Sequence, residues 1–458
     1  MHFIGIGGIG MSSLAQYFLA HNFLVTGSDL HDSEIIRSLR ARGASITVGA
    51  HTGKNIPKNP EKIIISNAID EENIEYKVAK KRGYTIQTYP EVLAALTKKY
   101  TTIAVCGAHG KSTTTALVSL LLERAGLDPT VIIGTKLYEW NGDNFRNGEG
   151  KYLVLEADEY KEAFLEYHPS IILATNIDRE HLDHYTTFEN VQKAFKKFLN
   201  KVPKNGTLIL NKDDVCLRKI GEDLKKKKKK IVWYSLHSSA RKSIASVLKI
   251  SGLHNISNAL GAFALSKILK IPEESTFDVL RNFKGSWRRS DYKGRAFGAE
   301  IFDDYAHHPT EIHATLSAFR EAHPTTRIWC VFQPHQQKRL ENLFDDFVKA
   351  FYHADRVVLL DTYQVFGRDF RARADKNKNG KKADLFGERE SKKTAFDLAC
   401  ALNDVAKKSV FHIRYTGQLP EFLKQNVFEG DIVLMMGAGD INEITKTLIP
   451  IKNRQTIY

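Results

Sequence analysis

At 458 residues the chain exceeds one ordinary domain, and two or three domains, each with its own core, are the natural expectation. Its 42% hydrophobic content is that of a water-soluble globular protein. No run approaches 18 uninterrupted apolar residues, and the Gly-rich start lacks the basic leading region of a signal peptide, so neither a membrane span nor secretion is expected.

The net charge of +14 invites a nucleic-acid reading. Much of the excess is local, in Lys225–Lys230 and between Arg368 and Lys393, and a solvated basic surface accounts for it. A basic cleft for a phosphate-rich small substrate would also suit it. Cys106, Cys216, Cys330 and Cys400 are scattered, without metal-ligand spacing or a dense disulfide framework, which fits a reduced cytoplasm.

Short apolar strands alternate with amphipathic helices along the chain, the pattern of parallel sheets covered by helices. A first block, 1–98, opens with a strand at Met1–Ile6, a Gly-rich turn, and a helix with Met11, Leu14, Ala15 and Phe18 on one face. Further strands are predicted at Leu24–Gly27, Ser45–Val48 and Lys62–Ser66. A second block, 99–293, starts with a strand at Thr101–Cys106 and a helix with Leu117, Leu120 and Leu121 on one face. Strands at Tyr152–Leu155 and Ile171–Thr175 follow, then a helix from about Asn255 to Leu269. A third block, 294–458, has predicted strands at Ile301–Asp303, Arg327–Phe332, Arg356–Leu360 and Ile432–Met436. The polar stretch Thr362–Ser391 reads as a mobile loop.

The strongest local signal is Gly107-Ala108-His109-Gly110-Lys111-Ser112-Thr113, between an apolar strand and an amphipathic helix. Glycines let backbone N–H groups close around phosphate oxygens, and the helix N-terminus adds its positive end. Lys111 would reach the β- and γ-phosphates, and the Ser112 hydroxyl would ligate Mg²⁺. Val105 stands where the general pattern has its first glycine, so the loop is a shorter variant.

Two acidic clusters, Glu156-Ala157-Asp158-Glu159 and Asn176 to Asp183 with His181, each follow a strand directly and so point at the same sheet edge, where Mg²⁺ could be held. The Gly5-Ile6-Gly7-Gly8-Ile9-Gly10 turn, with Asp29 about 20 residues on, lets a diphosphate approach the backbone. It fits a nicotinamide dinucleotide or a UDP-linked substrate equally, and a plain Gly-rich turn is the bland alternative. Asn255 and Asn258, at a helix start, suit an adenine edge or helix capping. Asp303 to Thr310, with His307 and His308, suits a nucleotide or substrate contact better than a metal, because adjacent loop histidines rarely share one ion.

Taken together, these motifs resemble the Mur ligases of peptidoglycan synthesis over nearly the whole chain, closest to the branch that adds L-alanine to UDP-N-acetylmuramate. The resemblance is carried by Phe3 to Ser12, Ser66-Asn67-Ala68-Ile69, Glu156 to Glu159, Thr175-Asn176-Ile177 with His181 and Asp183, Asp304 to Pro309, Phe332-Gln333-Pro334-His335, and Gly437 to Asp440. It implies an α/β protein of three domains: a Rossmann-like UDP-sugar domain (1–98), a P-loop ATPase-type central domain (99–293) and a Rossmann-like domain that brings the amino acid (294–458). The implied reaction runs through an acyl phosphate, made when the muramate carboxylate attacks the ATP γ-phosphate.

Residue by residue, the resemblance implies that Lys111 stabilises the γ-phosphoryl group within a loop formed by Gly107, His109, Gly110, Ser112 and Thr113. Ser112 and Glu156 would hold one Mg²⁺ and His181 a second. Asn255 and Asn258 would lie near the adenine, Arg289 would face phosphate, and Asp304 would contact the ribose. Gly7, Gly8, Ile9 and Gly10 would cradle the UDP diphosphate with Asp29 and Ser66 nearby. His307 would contact substrate, and His335 and Arg339 would line the amino-acid and acyl site. A cytoplasmic monomer or homodimer is implied, with no nucleic-acid partner.

The chain also departs from the family. Many relatives carry a carbamylated lysine where Gln192 or Lys193 falls, the family's Arg-Arg-Phe reads Arg288-Arg289-Ser290, and Gln336-Gln337-Lys338-Arg339 replaces a stretch richer in Arg and Ser or Thr. A tripeptide-recycling ligase, a ligase for Gly or Ser, a nicotinamide-dependent oxidoreductase and a nucleic-acid-binding ATPase are the alternatives.

Overall fold

Runs such as Ile103-Ala104-Val105-Cys106 are buried completely, and the side chains alternate between two cores: Ala104 and Cys106 enter one, Ile103 and Val105 the other. A strand covered on both faces must be apolar at every position, which is why these runs show no polar alternation. The computed structural model describes residues 1–364, 393–406 and 409–449. From residue 365 on, the stretch expected to be a mobile loop lies outside the described residues, as does nearly all of the basic Arg368–Lys393 segment.

Three sheets result. The first is wholly parallel, with Ser45–Val48, Thr26–Asp29, His2–Ile4, Ile63–Ile65 and Ile86–Thr88 side by side. The second carries, in order, Lys230–Tyr234, Thr207–Asn211, Ile171–Ala174, Thr101–Cys106, Tyr152–Glu156, Thr130–Leu137 and Asp143–Arg146. Only its last strand is antiparallel, as the return arm of a hairpin with Thr130–Leu137. The third orders Asp291–Ala296, Ala299–Asp304, Ile432–Met436, Ile328–Phe332, Arg356–Leu360 and Ser409–Ile413, with an antiparallel first pair. Each sheet with its helices forms an α/β domain, giving the three-domain architecture.

The first two sheets share one compact unit, Met1–Ile250 with His254–Ser286; the third lies in a second unit, Ser251–Leu253 with the chain from Trp287 on. The 98/99 boundary thus falls inside the first unit, and 293/294 falls within the strand Asp291–Ala296.

Several expected strands are displaced. The strand expected at Met1–Ile6 spans only His2–Ile4, because the chain turns into its helix at Gly5. The strand expected at Leu24–Gly27 begins at Thr26, opposite His2, and leaves Leu24 89% exposed. The Thr130–Leu137/Asp143–Arg146 hairpin and the Asp291–Ala296 edge were not foreseen. Local chemistry places the helices well: Thr88 and Glu91 form a reciprocal capping box before Tyr89–Thr97, and Thr187 and Asp214 cap Phe188–Asn200 and Val215–Lys226. Lys225–Lys228 and Lys230 are solvent-exposed, as a solvated basic surface requires. The four cysteines are free thiols, and no helix among the described residues is long and apolar enough to cross a membrane.

Candidate active site

Thr101–Cys106 is central in the second sheet, flanked by Ile171–Ala174 and Tyr152–Glu156 in parallel register. All three strands therefore end at one edge, and the turns that follow them meet. The Gly107–Gly110 loop leads into the helix Lys111–Arg124, whose N-cap Gly110 has φ +78°. A Cβ on Gly107 would come within 2.0 Å of the Thr175 hydroxyl, and one on Gly110 within 2.4 Å of the Asn258 side-chain oxygen.

Both glycines are thus demanded by close approach as well as by conformation. Gly110→Ala is expected to cost about 1–2 kcal/mol of stability from the left-handed backbone alone, and to weaken nucleotide binding. Thermal unfolding and titration with a non-hydrolysable ATP analogue check both.

The loop is clamped from the adjacent turn. The Asn176 side chain accepts from the His109 N–H (2.9 Å) and donates to the His109 carbonyl (3.0 Å), while the His109 ring meets Asp178 at 3.0 Å. Asp214 in turn accepts from the Ile177 N–H (3.1 Å). Asn258 touches the loop itself at Gly110, and Asn255 is buried on the same helix.

Lys111 and Ser112 each reach a carboxylate from the Glu156–Glu159 turn. The Lys111 ammonium donates to Glu159 (2.9 Å) and to the Gly107 carbonyl (2.7 Å); the Ser112 hydroxyl donates to Glu156 (3.0 Å). The second Glu156 oxygen accepts from the Gly134 N–H (2.9 Å). Burial opposes the charge on Lys111, but Glu159, Asp158 and Glu156 outweigh it and hold its pKa above the ordinary lysine value. Burial pushes the Glu156 and Glu159 carboxyls up, and Lys111 pulls both back toward the charged form.

Asp158, Glu159 and His181 bring ligand atoms within 4.8 Å of one another, and the buried Glu159 Oε1 lacks a hydrogen-bond partner while lying 3.9 Å from His181 Nε2. Hard oxygen donors beside an imidazole fit a divalent cation such as Mg²⁺.

Glu159 is the residue that sequence reasoning undervalued. Its signal was present, because it stands in the acidic turn after a strand, but only the fold shows that it, rather than Glu156, holds Lys111. Glu159→Gln keeps the volume and removes the charge. Turnover is expected to fall about 10–100-fold, the worth of one charged hydrogen bond, and the melting temperature to fall as well, because Lys111 loses its nearest counter-charge; steady-state kinetics beside a thermal melt check this.

In the first sheet, Asp29 is engaged by the Gly-rich turn, accepting from the Gly7 N–H at 2.8 Å. The carboxylate that a dinucleotide fingerprint would offer to a ribose thus has one oxygen holding the turn together. Ser66 lies at the same edge, its Cβ 3.1 Å from where a Gly5 Cβ would sit. Lys193 is exposed, and the half-buried Gln192 donates to Cys216 (3.1 Å).

The second unit gathers the remaining predicted residues. Arg289 pairs with Glu311 (3.3 Å) and lies over the Tyr305 ring. Asp304 accepts from the Ser290 and Ala306 N–H groups (2.7 and 2.8 Å) and from the Ser290 hydroxyl, so the serine that departs from the family pattern acquires a partner. The His335 ring stacks on Tyr363 and lies 6.2 Å from the His307 ring, and Arg339 donates to the His335 carbonyl, which brings these three predicted residues together.

A phosphate loop whose lysine and serine each meet a carboxylate, on a parallel sheet within a three-domain α/β chain, defines a nucleotide-binding enzyme of the P-loop type. Three family models match in order: the Mur ligase family catalytic domain over residues 1–101, the Mur ligase middle domain over 105–266, and the Mur ligase glutamate ligase domain over 288–439. The chain belongs to the Mur ligase family.

Relatives named UDP-N-acetylmuramate–L-alanine ligase include one from Alkaliphilus metalliredigens, 36% identical over 99% of this chain and 97% of its own length. Another, from Clostridium acetobutylicum, is 37% identical over 97% and 96%. The crystal structure of UDP-N-acetylmuramate-alanine ligase from Thermotoga maritima aligns with a TM-score of 0.76 at 25% identity, covering 98% of this chain and 97% of that one.

Proposed function

We propose that the chain is an ATP-dependent ligase that joins L-alanine to the carboxylate of UDP-N-acetylmuramate in peptidoglycan precursor synthesis. The observation that carries this reading is the convergence of Lys111, Ser112, Glu156, Glu159 and His181 on one sheet edge of a chain whose relatives bear that ligase's name along their whole length.

A carboxylate is a poor electrophile, and transfer of the ATP γ-phosphoryl group to it supplies the leaving group that an attacking amine needs. The protein's part is positioning and charge stabilisation. The Gly107–Thr113 loop holds the triphosphate, Lys111 neutralises charge on the transferring group, and Asn255 and Asn258 border the adenine. Ser112 and Glu156 would hold one Mg²⁺, and His181 with Asp158 and Glu159 a second; the ions would neutralise phosphate charge.

Residues 1–98 take the UDP-sugar at Gly7, Gly8, Ile9 and Gly10 beside Asp29 and Ser66. Residues 99–293 take ATP, and 294–458 bring the amino acid, with Arg289 and Asp304 serving the nucleotide, His307 the substrate, and His335 and Arg339 the acyl site. The enzyme works in the cytoplasm as a monomer or homodimer.

Phosphate release with UDP-N-acetylmuramate and ATP·Mg²⁺, measured separately with L-Ala, Gly, L-Ser and a tripeptide, tests the reading. Release with L-Ala is expected; release only with the tripeptide overturns it.

A further inference from the structure

The helix Ile9–Ala20, whose first turn continues the Gly5–Gly10 diphosphate cradle, is held from outside its own sheet. Asn144, 4% exposed on the return arm of the Thr130–Leu137/Asp143–Arg146 hairpin, donates through its amide to the Ile9 carbonyl (2.6 Å) and to the Ser12 and Ser13 hydroxyls (3.1 and 3.3 Å). Its amide oxygen accepts from the buried Gln16 (2.8 Å). The amide donates through its nitrogen and accepts through its oxygen, so the polar cluster fixes Asn144 in one orientation.

The outward arm of the same hairpin carries Gly134, whose N–H holds Glu156 beside Ser112. Arg42 braces the hairpin at its surface, one guanidinium nitrogen donating to both Asp143 carboxylate oxygens (2.6 and 2.7 Å).

We infer that Asn144 is a positioning residue for UDP-sugar binding: the central domain, through this side chain, fixes the first turn of the diphosphate-binding helix at Ile9, as Asp29 fixes the preceding turn at Gly7. The backbone of Gly7 to Gly10 can present its N–H groups to a diphosphate only if that turn keeps its place. Its last carbonyl neighbour, at Ile9, accepts from Asn144 as well as from the Ser12 and Ser13 hydroxyls, which Asn144 also contacts. Because the hairpin also touches Glu156, the anchor joins the UDP-sugar site to the nucleotide site. A misplaced turn costs substrate affinity while leaving the phosphoryl-transfer groups where they are.

This inference rests on the proposed function, so wild-type phosphate release with UDP-N-acetylmuramate and L-Ala is established first; its failure there refutes that reading and not this one. Asn144→Ala is then compared with Gln16→Met, a milder variant that removes only the partner orienting the amide, and with Arg42→Ala, which loosens the same hairpin at the surface.

Expected for Asn144→Ala is a KM for UDP-N-acetylmuramate raised tenfold or more, with kcat and the KM values for ATP and L-Ala within threefold of wild type. Gln16→Met should move the same KM in the same direction by less, and Arg42→Ala should leave it unchanged. Direct titration of the UDP-sugar without ATP reads the same loss of affinity should Asn144→Ala turn over too slowly. A lowered melting temperature with an unchanged KM in both buried variants, or a loss confined to kcat, overturns the assignment.

Discussion

Replacing Lys111 with alanine is expected to lower turnover by at least about 10²–10³-fold, the range for removing one preorganised charge-stabilising donor. The effect should reach the chemical step, because the lysine sits at the first position of the helix, half-buried against the buried Glu159, where its ammonium is held charged. Truncation also leaves Glu159 buried beside Asp158 with its principal counter-charge gone, so further stability is lost as well as activity. Rapid-quench measurement of phosphate formation separates the chemical step from binding. Turnover at wild-type rate would remove the loop from the mechanism. Lys111→Arg restores charge but not shape, and is expected to recover stability and little activity.

The largest effect on stability is expected far from the phosphate loop, at Glu75. This carboxylate, fully buried on the helix Ile74–Lys81, accepts from Ser28 (2.6 Å), Asn55 (2.6 Å) and His51 (3.0 Å), with His2 at 3.9 Å. Burial raises its pKa, but the nearby His2 imidazole and the hydrogen bonds from Ser28, Asn55 and His51 together outweigh burial and bring it from the ordinary 4.5 to about 2.

The folded-state value lies below the unfolded one, so the stabilisation is fully present above about pH 4.5 and is lost as pH falls toward 2. The gap corresponds to on the order of 3 kcal/mol. Glu75→Ala leaves the buried Ser28 and the partly buried Asn55 and His51 without their acceptor, and a loss of about 3 kcal/mol is expected. Urea unfolding at pH 7 and pH 3 checks both statements: the wild type should weaken at pH 3, and the difference between wild type and variant should shrink there. A difference unchanged with pH would deny the carboxylate its charged role.

Nothing in the local sequence marked Glu75. It reads as one acid among several in Glu71-Glu72-Asn73-Ile74-Glu75, and its burial depends on where the helix comes to lie against the first sheet. The phosphate loop was legible for the opposite reason. Its strand, glycines, lysine and helix are consecutive, so their geometry follows from a dozen residues. Gly107 and Gly110 were expected for backbone freedom; the fold adds that Thr175 and Asn258, brought in from other segments, leave no room for a side chain.

Strands buried on both faces announced themselves as unbroken apolar runs, and Thr101–Cys106, Arg356–Leu360 and Ile432–Met436 lie where that pattern put them. Edge strands such as Asp291–Ala296 and the hairpin arm Asp143–Arg146 are polar and short, so their identity depends on a neighbour to pair with.

By itself the amino-acid sequence determined the alternating α/β architecture, the phosphate loop, and the edge at which the acidic turns emerge. Each of these rests on short-range periodicity, on capping, or on motifs contiguous in the chain. Only the tertiary structure decided which carboxylate meets which donor: Glu159 on Lys111, Glu156 on Ser112, and Asn144 on the turn at Ile9. Those pairings join residues far apart in sequence, and a side chain's partner is chosen by the packing of whole elements, which no local pattern encodes.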